Sequence, residues 1–115
     1  MFGLQITISL RESQMFELKR QPISPGEILL EEFLKPYGMS QTALAHHLQC
    51  DIKTINRIVN ARQVVTAEMA LKLGGFFRTT PEFWLNMQRD VDLYEARRKV
   101  IDLPLPIKEP KQSTA

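Results

Sequence analysis

From Ser24 onward the chain repeatedly places a small oxygen-bearing residue in front of a short apolar run: Ser24, Ser40, Asp51, Thr66 and the pair Thr79-Thr80. Such side chains cap helices, because their oxygen accepts a hydrogen bond from a backbone N–H that the first turn leaves unpaired. The intervals between them admit helices of only a few turns joined by tight connections. Ser24-Pro25-Gly26-Glu27 also supplies a proline at the first helical position and a glutamate placed to close a capping box. Pro36 and Gly38 end that first helix near Lys35. Ser40 opens a second helix, Asp51 a third, and Thr66 a fourth that is interrupted or ended around Gly74-Gly75. Thr79 or Thr80, followed by Pro81 and Glu82, opens a fifth. The block from 22 to 100 therefore reads as an all-α domain of five helices.

Each run has an apolar side. In the first helix Leu29, Leu30, Phe33 and Leu34 face inward, while Glu27, Glu31 and Glu32 stay outside. Ala43, Leu44 and Leu48 do the same in the second helix, Ile55, Ile58 and Val59 in the third, and Met69, Ala70, Leu73 and Phe77 in the fourth. The fifth is apolar on more than one face, since Phe83, Trp84, Leu85 and Met87 cannot share one narrow stripe. Some of that surface must meet something besides its own core. Trp84, Val91, Leu93 and Tyr94 are its candidates for a dimer interface, and burial in the five-helix core is the equally weighted alternative.

Two arms flank the block. In residues 1–21, Leu4, Ile6, Ile8 and Leu10 alternate with polar residues, the pattern of a half-buried strand. A lone strand must pair with a symmetry mate or another protein, or remain frayed. A start at Met15 would leave the central block whole. In residues 101–115, Pro104, Pro106 and Pro110 forbid a helix and favour an extended tail ending in a few disordered residues.

With 115 residues, 43% of them hydrophobic and 24% charged, there is enough for one modest core and no second domain. The single Cys50 permits no internal disulfide, and no apolar run is long enough to span a membrane. The opening residues lack a secretory signal, so a reducing cytoplasm is the expected compartment. A net charge of +2 is small for a non-specific polycation, so nucleic-acid binding requires that charge be concentrated locally.

The segment from Gln41 to Ile58 concentrates it. Two helices that meet steeply across a short turn need a small residue at their contact, and Ala45 supplies it. Leu44, Leu48, Ile55 and Ile58 close the shared core and leave Ile52, Lys53, Asn56 and Arg57 facing solvent, with Thr54 nearby. That outward set suits a reader of the major groove: Lys and Arg donate to guanine, Asn pairs with adenine, and Ile touches a thymine methyl. Lys53, Arg57 and Arg62 put three positive charges and no acid between Ile52 and Val65. Gln41, Asn60 and Arg62 flank the helix within reach of phosphates. One position opposes the pattern: the turn favours a left-handed backbone, yet Gln49 stands there, at a cost of about 1 kcal/mol.

From about Pro22 to Arg98 the chain resembles the HigA-type antitoxins of the lambda-repressor-like helix-turn-helix class. The resemblance rests on PISPGEILLEEFLKPYGMS, QTALAHHL, TINRIVNAR, TAEMALKLGGFF and, most specifically, TTPEFWLNMQRDVDLYEAR. It implies a homodimer that binds a palindromic operator, represses its own operon and neutralises a HigB-like ribosome-dependent mRNA endonuclease. It also implies base reading by Ile52, Lys53, Asn56 and Arg57, with phosphate contacts from Gln41, Thr54, Asn60 and Arg62. Gln49 and Ala61 depart from the glycines common in the family, Ile52 from a frequent polar residue, and the front arm is longer than usual.

Other chemistries find less support. His46, His47, Cys50 and Asp51 invite a metal site, but adjacent histidines point apart, the helix breaks before Cys50, and no second ligand cluster follows. No cofactor motif, phosphate loop or nucleophile elbow occurs, so an enzyme is not expected. The competing readings are a stand-alone or phage-type repressor without a toxin, a small metal-dependent hydrolase, and a protein-interaction module that never touches DNA.

Overall fold

The computed structural model describes residues 20–110. The strand-like reading of Leu4 to Leu10, the alternative start at Met15 and the last five residues lie outside this range. Helix α1 begins at Pro25–Ile28 and continues in π geometry over Leu29–Leu34. It is followed by α2 (Gln41–Leu48), α3 (Ile52–Val59), α4 (Ala67–Phe77) and α5 (Pro81–Lys99). No strand occurs among the described residues, and the expected five-helix architecture is present.

The caps act as their chemistry requires. Side-chain oxygens of Ser24, Ser40, Asp51, Thr66 and Thr80 accept from the backbone N–H groups of Glu27, Ala43, Lys53, Met69 and Phe83. Between the two candidates for the last cap, Thr80 takes the role. Thr79 instead accepts from the Trp84 indole Nε1 at 2.7 Å.

Helices α1, α2 and α4 and the run ending at Val59 close in one way: the chain turns through a left-handed residue, and the next N–H reaches back five residues. Met39 donates to Leu34, Cys50 to Ala45, Arg62 to Arg57 and Thr79 to Gly74. Gly38 is the glycine among the four left-handed residues; the others are Gln49 (φ 54°), Ala61 (φ 57°) and Arg78 (φ 61°).

Two local expectations change. The first helix is not α-helical throughout, because Lys35 N–H donates to Leu30 O, five residues back. The wider turn brings residues five apart to one side, so Leu29 and Leu34 are buried while Leu30 and Phe33 only flank the core. The fourth helix is not interrupted at Gly74-Gly75 but runs on to Phe77. Gly74 is required there by crowding, since a Cβ on it would lie 2.9 Å from Thr79 O, where the chain turns into α5.

The core gathers Leu29, Leu34, Leu44, Leu48, Ile55, Ile58, Leu73 and Trp84. Trp84 is fully enclosed, with Phe33 at 5.3 Å and Phe83 at 5.1 Å between ring centroids. Burying such a ring contributes several kcal/mol, on the order of the 3–5 that its truncation removes. At its start α1 presses on α3 so closely that a Cβ on Gly26 would overlap the Ile58 carbonyl.

Candidate nucleic-acid interface

Helices α2 and α3 meet as the sequence anticipates. Ala45 is buried at their contact, and Leu44, Leu48, Ile55 and Ile58 seal the space between them. The turn is the Gln49-Cys50-Asp51 segment. Gln49 takes the left-handed conformation there, its N–H donating to His46 O. Asp51 then starts α3 with its carboxylate on Lys53 N–H at 2.9 Å.

With Ile55 and Ile58 turned inward, Ile52, Lys53, Asn56 and Arg57 are all exposed on the other side of α3. Together with Gln41 they line one shallow depression. Asn56 Nδ2 donates to Gln41 Oε1 at 3.2 Å, which ties the outer face of α3 to the first residue of α2. Asn60 Nδ2 donates to Asn56 O at 2.9 Å and so occupies a carbonyl at the end of α3. Arg62 is exposed just beyond it, and Thr54 is half-buried beside the turn. Lys53 and Arg57 stand on this depression and Arg62 is exposed beyond the end of α3, whereas Glu27, Glu31 and Glu32 lie exposed on α1.

Two positions that support this surface carry no local signal. Gln88, on α5, accepts from Val65 N–H through Oε1 at 2.9 Å and donates through Nε2 to Asp92 Oδ1 at 2.9 Å. It thereby holds the segment that follows the proposed reading helix. Gly26 sets the approach of α1 to the end of that helix.

Among the dimer candidates, Trp84 is corrected: it lies wholly inside the core of one chain and has no surface to offer a second copy. Leu93 is 42% exposed, and Val91 and Tyr94 are half-buried on the far half of α5. His46 and His47 are both exposed, and His47 stacks on Phe76 at 4.9 Å. Cys50 packs against the core, and this burial pushes its thiol pKa up. Among the described residues no three His, Cys, Asp or Glu side chains are grouped so as to hold a metal ion.

Two short helices crossing at Ala45, with a basic and polar outer face on the second, define a helix-turn-helix of the kind that reads duplex DNA. Residues 30–84 match the family model described as helix-turn-helix. The chain is 42% identical over 85 residues to antitoxin HigA-1 of Vibrio cholerae, covering 74% of this chain and 80% of that protein. It superposes on the Pseudomonas aeruginosa antitoxin HigA, solved with the higBA promoter, with a TM-score of 0.67 and 40% identity, over 69% of this chain and 86% of that one. Antitoxin GraA in complex with its operator gives a TM-score of 0.68 and 42% identity, over 76% and 95%. The chain belongs to the HigA-type antitoxins of the helix-turn-helix family, a family of DNA-binding regulators rather than of enzymes.

Proposed function

We propose that this protein is a dimeric autorepressor and antitoxin, which occupies a palindromic operator upstream of its own gene and neutralises a HigB-like mRNA endonuclease. The observation that carries the reading is the face of α3, where Ile52, Lys53, Asn56 and Arg57 stand exposed together while Ile55 and Ile58 anchor the helix from behind. Lys53 and Arg57 supply donors for guanine, Asn56 a donor and acceptor for adenine, and Ile52 an apolar contact for a thymine methyl. Gln41, Thr54, Asn60 and Arg62 hold the flanking phosphates and fix the register. The helix-turn-helix neighbours solved with promoter or operator DNA support this assignment.

The mechanism is occupancy. A second copy places a second α3 one turn of the duplex away, about 34 Å, and the bound dimer blocks transcription. The exposed carboxylates of Glu27, Glu31 and Glu32 on α1 offer a toxin-binding face complementary to a basic nuclease. No described helix is long and apolar enough to cross a membrane, which accords with a protein working on cytoplasmic DNA.

The test is an anisotropy titration of the purified protein against the DNA upstream of its gene at two salt concentrations, beside a scrambled duplex. We expect tight, salt-dependent binding with a clear preference for the upstream fragment. Equal affinity for both duplexes would remove the operator assignment. Toxin neutralisation is tested separately, by whether co-expression restores growth to cells making the toxin.

A further inference from the structure

From Asn60 to Thr66 the chain crosses from α3 to α4, and Arg62 is the one cation in this connection. Such a stretch has no helical ladder of its own, so its shape comes from the bonds at its two ends. At the α3 end the left-handed Ala61 turns the chain, with Ala61 N–H donating to Ile58 O at 3.0 Å and Arg62 N–H to Arg57 O at 2.7 Å. Among the described residues, neither Gln63 nor Val64 donates its N–H to another backbone group. The next bond along the chain comes from α5: Gln88 Oε1 accepts from Val65 N–H at 2.9 Å.

Gln88 is well placed to impose a shape. It stands one turn after the fully buried Trp84, on the same side of α5, so its base is fixed in the core. An amide can present either end, but a carboxylate accepts and does not donate. Gln88 Nε2 donates to Asp92 Oδ1 at 2.9 Å, so Asp92 draws the NH2 end and turns the carbonyl end to Val65. Behind the connection lies a cavity of about 220 Å³ lined by Arg62, Gln63, Val65, Gln88 and Asp92, so residues 62–64 span a hollow rather than a packed wall. Arg62 is exposed and forms no ion pair among the described residues.

We infer that Gln88 is a positioning residue for DNA binding: from α5 it holds the connection in the shape that presents Arg62 to the duplex, with Asp92 orienting its amide. The inference rests on the phosphate contact proposed above for Arg62. Gln88 touches no DNA itself and acts through Val65. Holding the connection before DNA arrives reduces the conformational freedom lost on binding. Without Gln88, Val65 N–H loses its partner, and the stretch that carries Arg62 is tied at the α3 end alone.

The experiment titrates full-length variants against the upstream fragment and a scrambled duplex at several salt concentrations, with urea unfolding to show that each chain is folded. Gln88→Leu removes the acceptor without adding charge. It should weaken binding to both duplexes alike, by about threefold to tenfold, and lower the salt slope toward that of Arg62→Ala. In a chain already carrying Arg62→Ala, Gln88→Leu should change affinity by less than about twofold. A merely structural Gln88 would lower the unfolding midpoint in both chains and leave the salt slope unmoved. Should Gln88→Leu fail to fold, a second cycle decides. Gln88→Glu keeps an acceptor for Val65 but sets a like charge against Asp92, and adding Asp92→Asn returns a donor to that carboxylate. Asp92→Asn should therefore improve DNA binding at least about threefold more in the Gln88→Glu chain than in the wild type. Losses from Gln88→Leu and Arg62→Ala that simply add, or an Asp92→Asn gain equal in both chains, would overturn the positioning role and leave Arg62 on the DNA. Unchanged binding of Arg62→Ala to both duplexes would instead remove the phosphate contact, and the role of Gln88 with it.

Discussion

The Asn56 side chain donates to the Gln41 side chain across the helix-turn-helix, Nδ2 to Oε1 at 3.2 Å. Asn56 is exposed on the outer face of α3 proposed to read DNA, and Gln41 is the first residue of the preceding helix. The bond fixes the rotamer of the amide proposed to read a base before DNA arrives, which would lower the entropy lost on binding. Because one side chain orients the other, their contributions should not add. Gln41→Ala and Asn56→Ala should each weaken operator binding, and the double variant should lose less than the sum by about 0.5–1 kcal/mol, the low end of the range for contacting residues. A double-mutant cycle by anisotropy measures this; strictly additive losses would mean the pair acts independently.

Arg57 and Arg62 are both exposed cations, and the proposed interface assigns them different tasks. Arg57 stands on the outer face of α3, so Arg57→Ala should cost about 1–3 kcal/mol on the operator and little on random duplex. Arg62 follows the left-handed Ala61 at the flank, so Arg62→Ala should weaken both duplexes alike and reduce the salt slope by about one. Competition titrations at several salt concentrations separate the two patterns.

Gly26 and Gly75 are both helical glycines with opposite surroundings. A Cβ at 26 collides with the Ile58 backbone, whereas a Cβ at 75 meets nothing within 4 Å. Gly26→Ala should therefore destabilise by about 2 kcal/mol or more, since backbone must move. Gly75→Ala should stabilise by about 0.5–1 kcal/mol through helix propensity alone. Urea unfolding midpoints report both, and a stable Gly26→Ala protein would contradict the packing of α1 on α3.

The left-handed residues Gln49 and Ala61 carry strain that glycine would relieve. Gln49→Gly and Ala61→Gly should each raise stability by about 0.5–1 kcal/mol, the relief being partly offset by the greater freedom of glycine in the unfolded chain. The two sites sit at opposite ends of α3 and should add in thermal or urea unfolding.

How much of this was legible depended on reach along the chain. Ser24, Ser40, Asp51, Thr66 and Thr80 each bond a backbone N–H two or three residues away, and their identities alone announce the helix starts. The inward set of Leu44, Leu48, Ile55 and Ile58 was equally readable, because helical periodicity assigns faces without knowledge of the partner. The left-handed Gln49 follows from the turn it occupies; the left-handed Arg78 does not, because no feature of its side chain marks it.

The sequence by itself determined the helices, their order and the outward face of α3, since these follow from contacts within a turn or two of chain. Only the tertiary structure decided that α1 widens into π geometry, that Gly26 must be bare, that Gln88 holds Val65 and that Trp84 belongs to the core rather than to an interface. Val65 and Gln88 are 23 residues apart, and Gln41 and Asn56 are 15 apart. Such pairs meet only after the helices have packed, so hydrophobic closure of the core selects these bonds from the many that local chemistry allows.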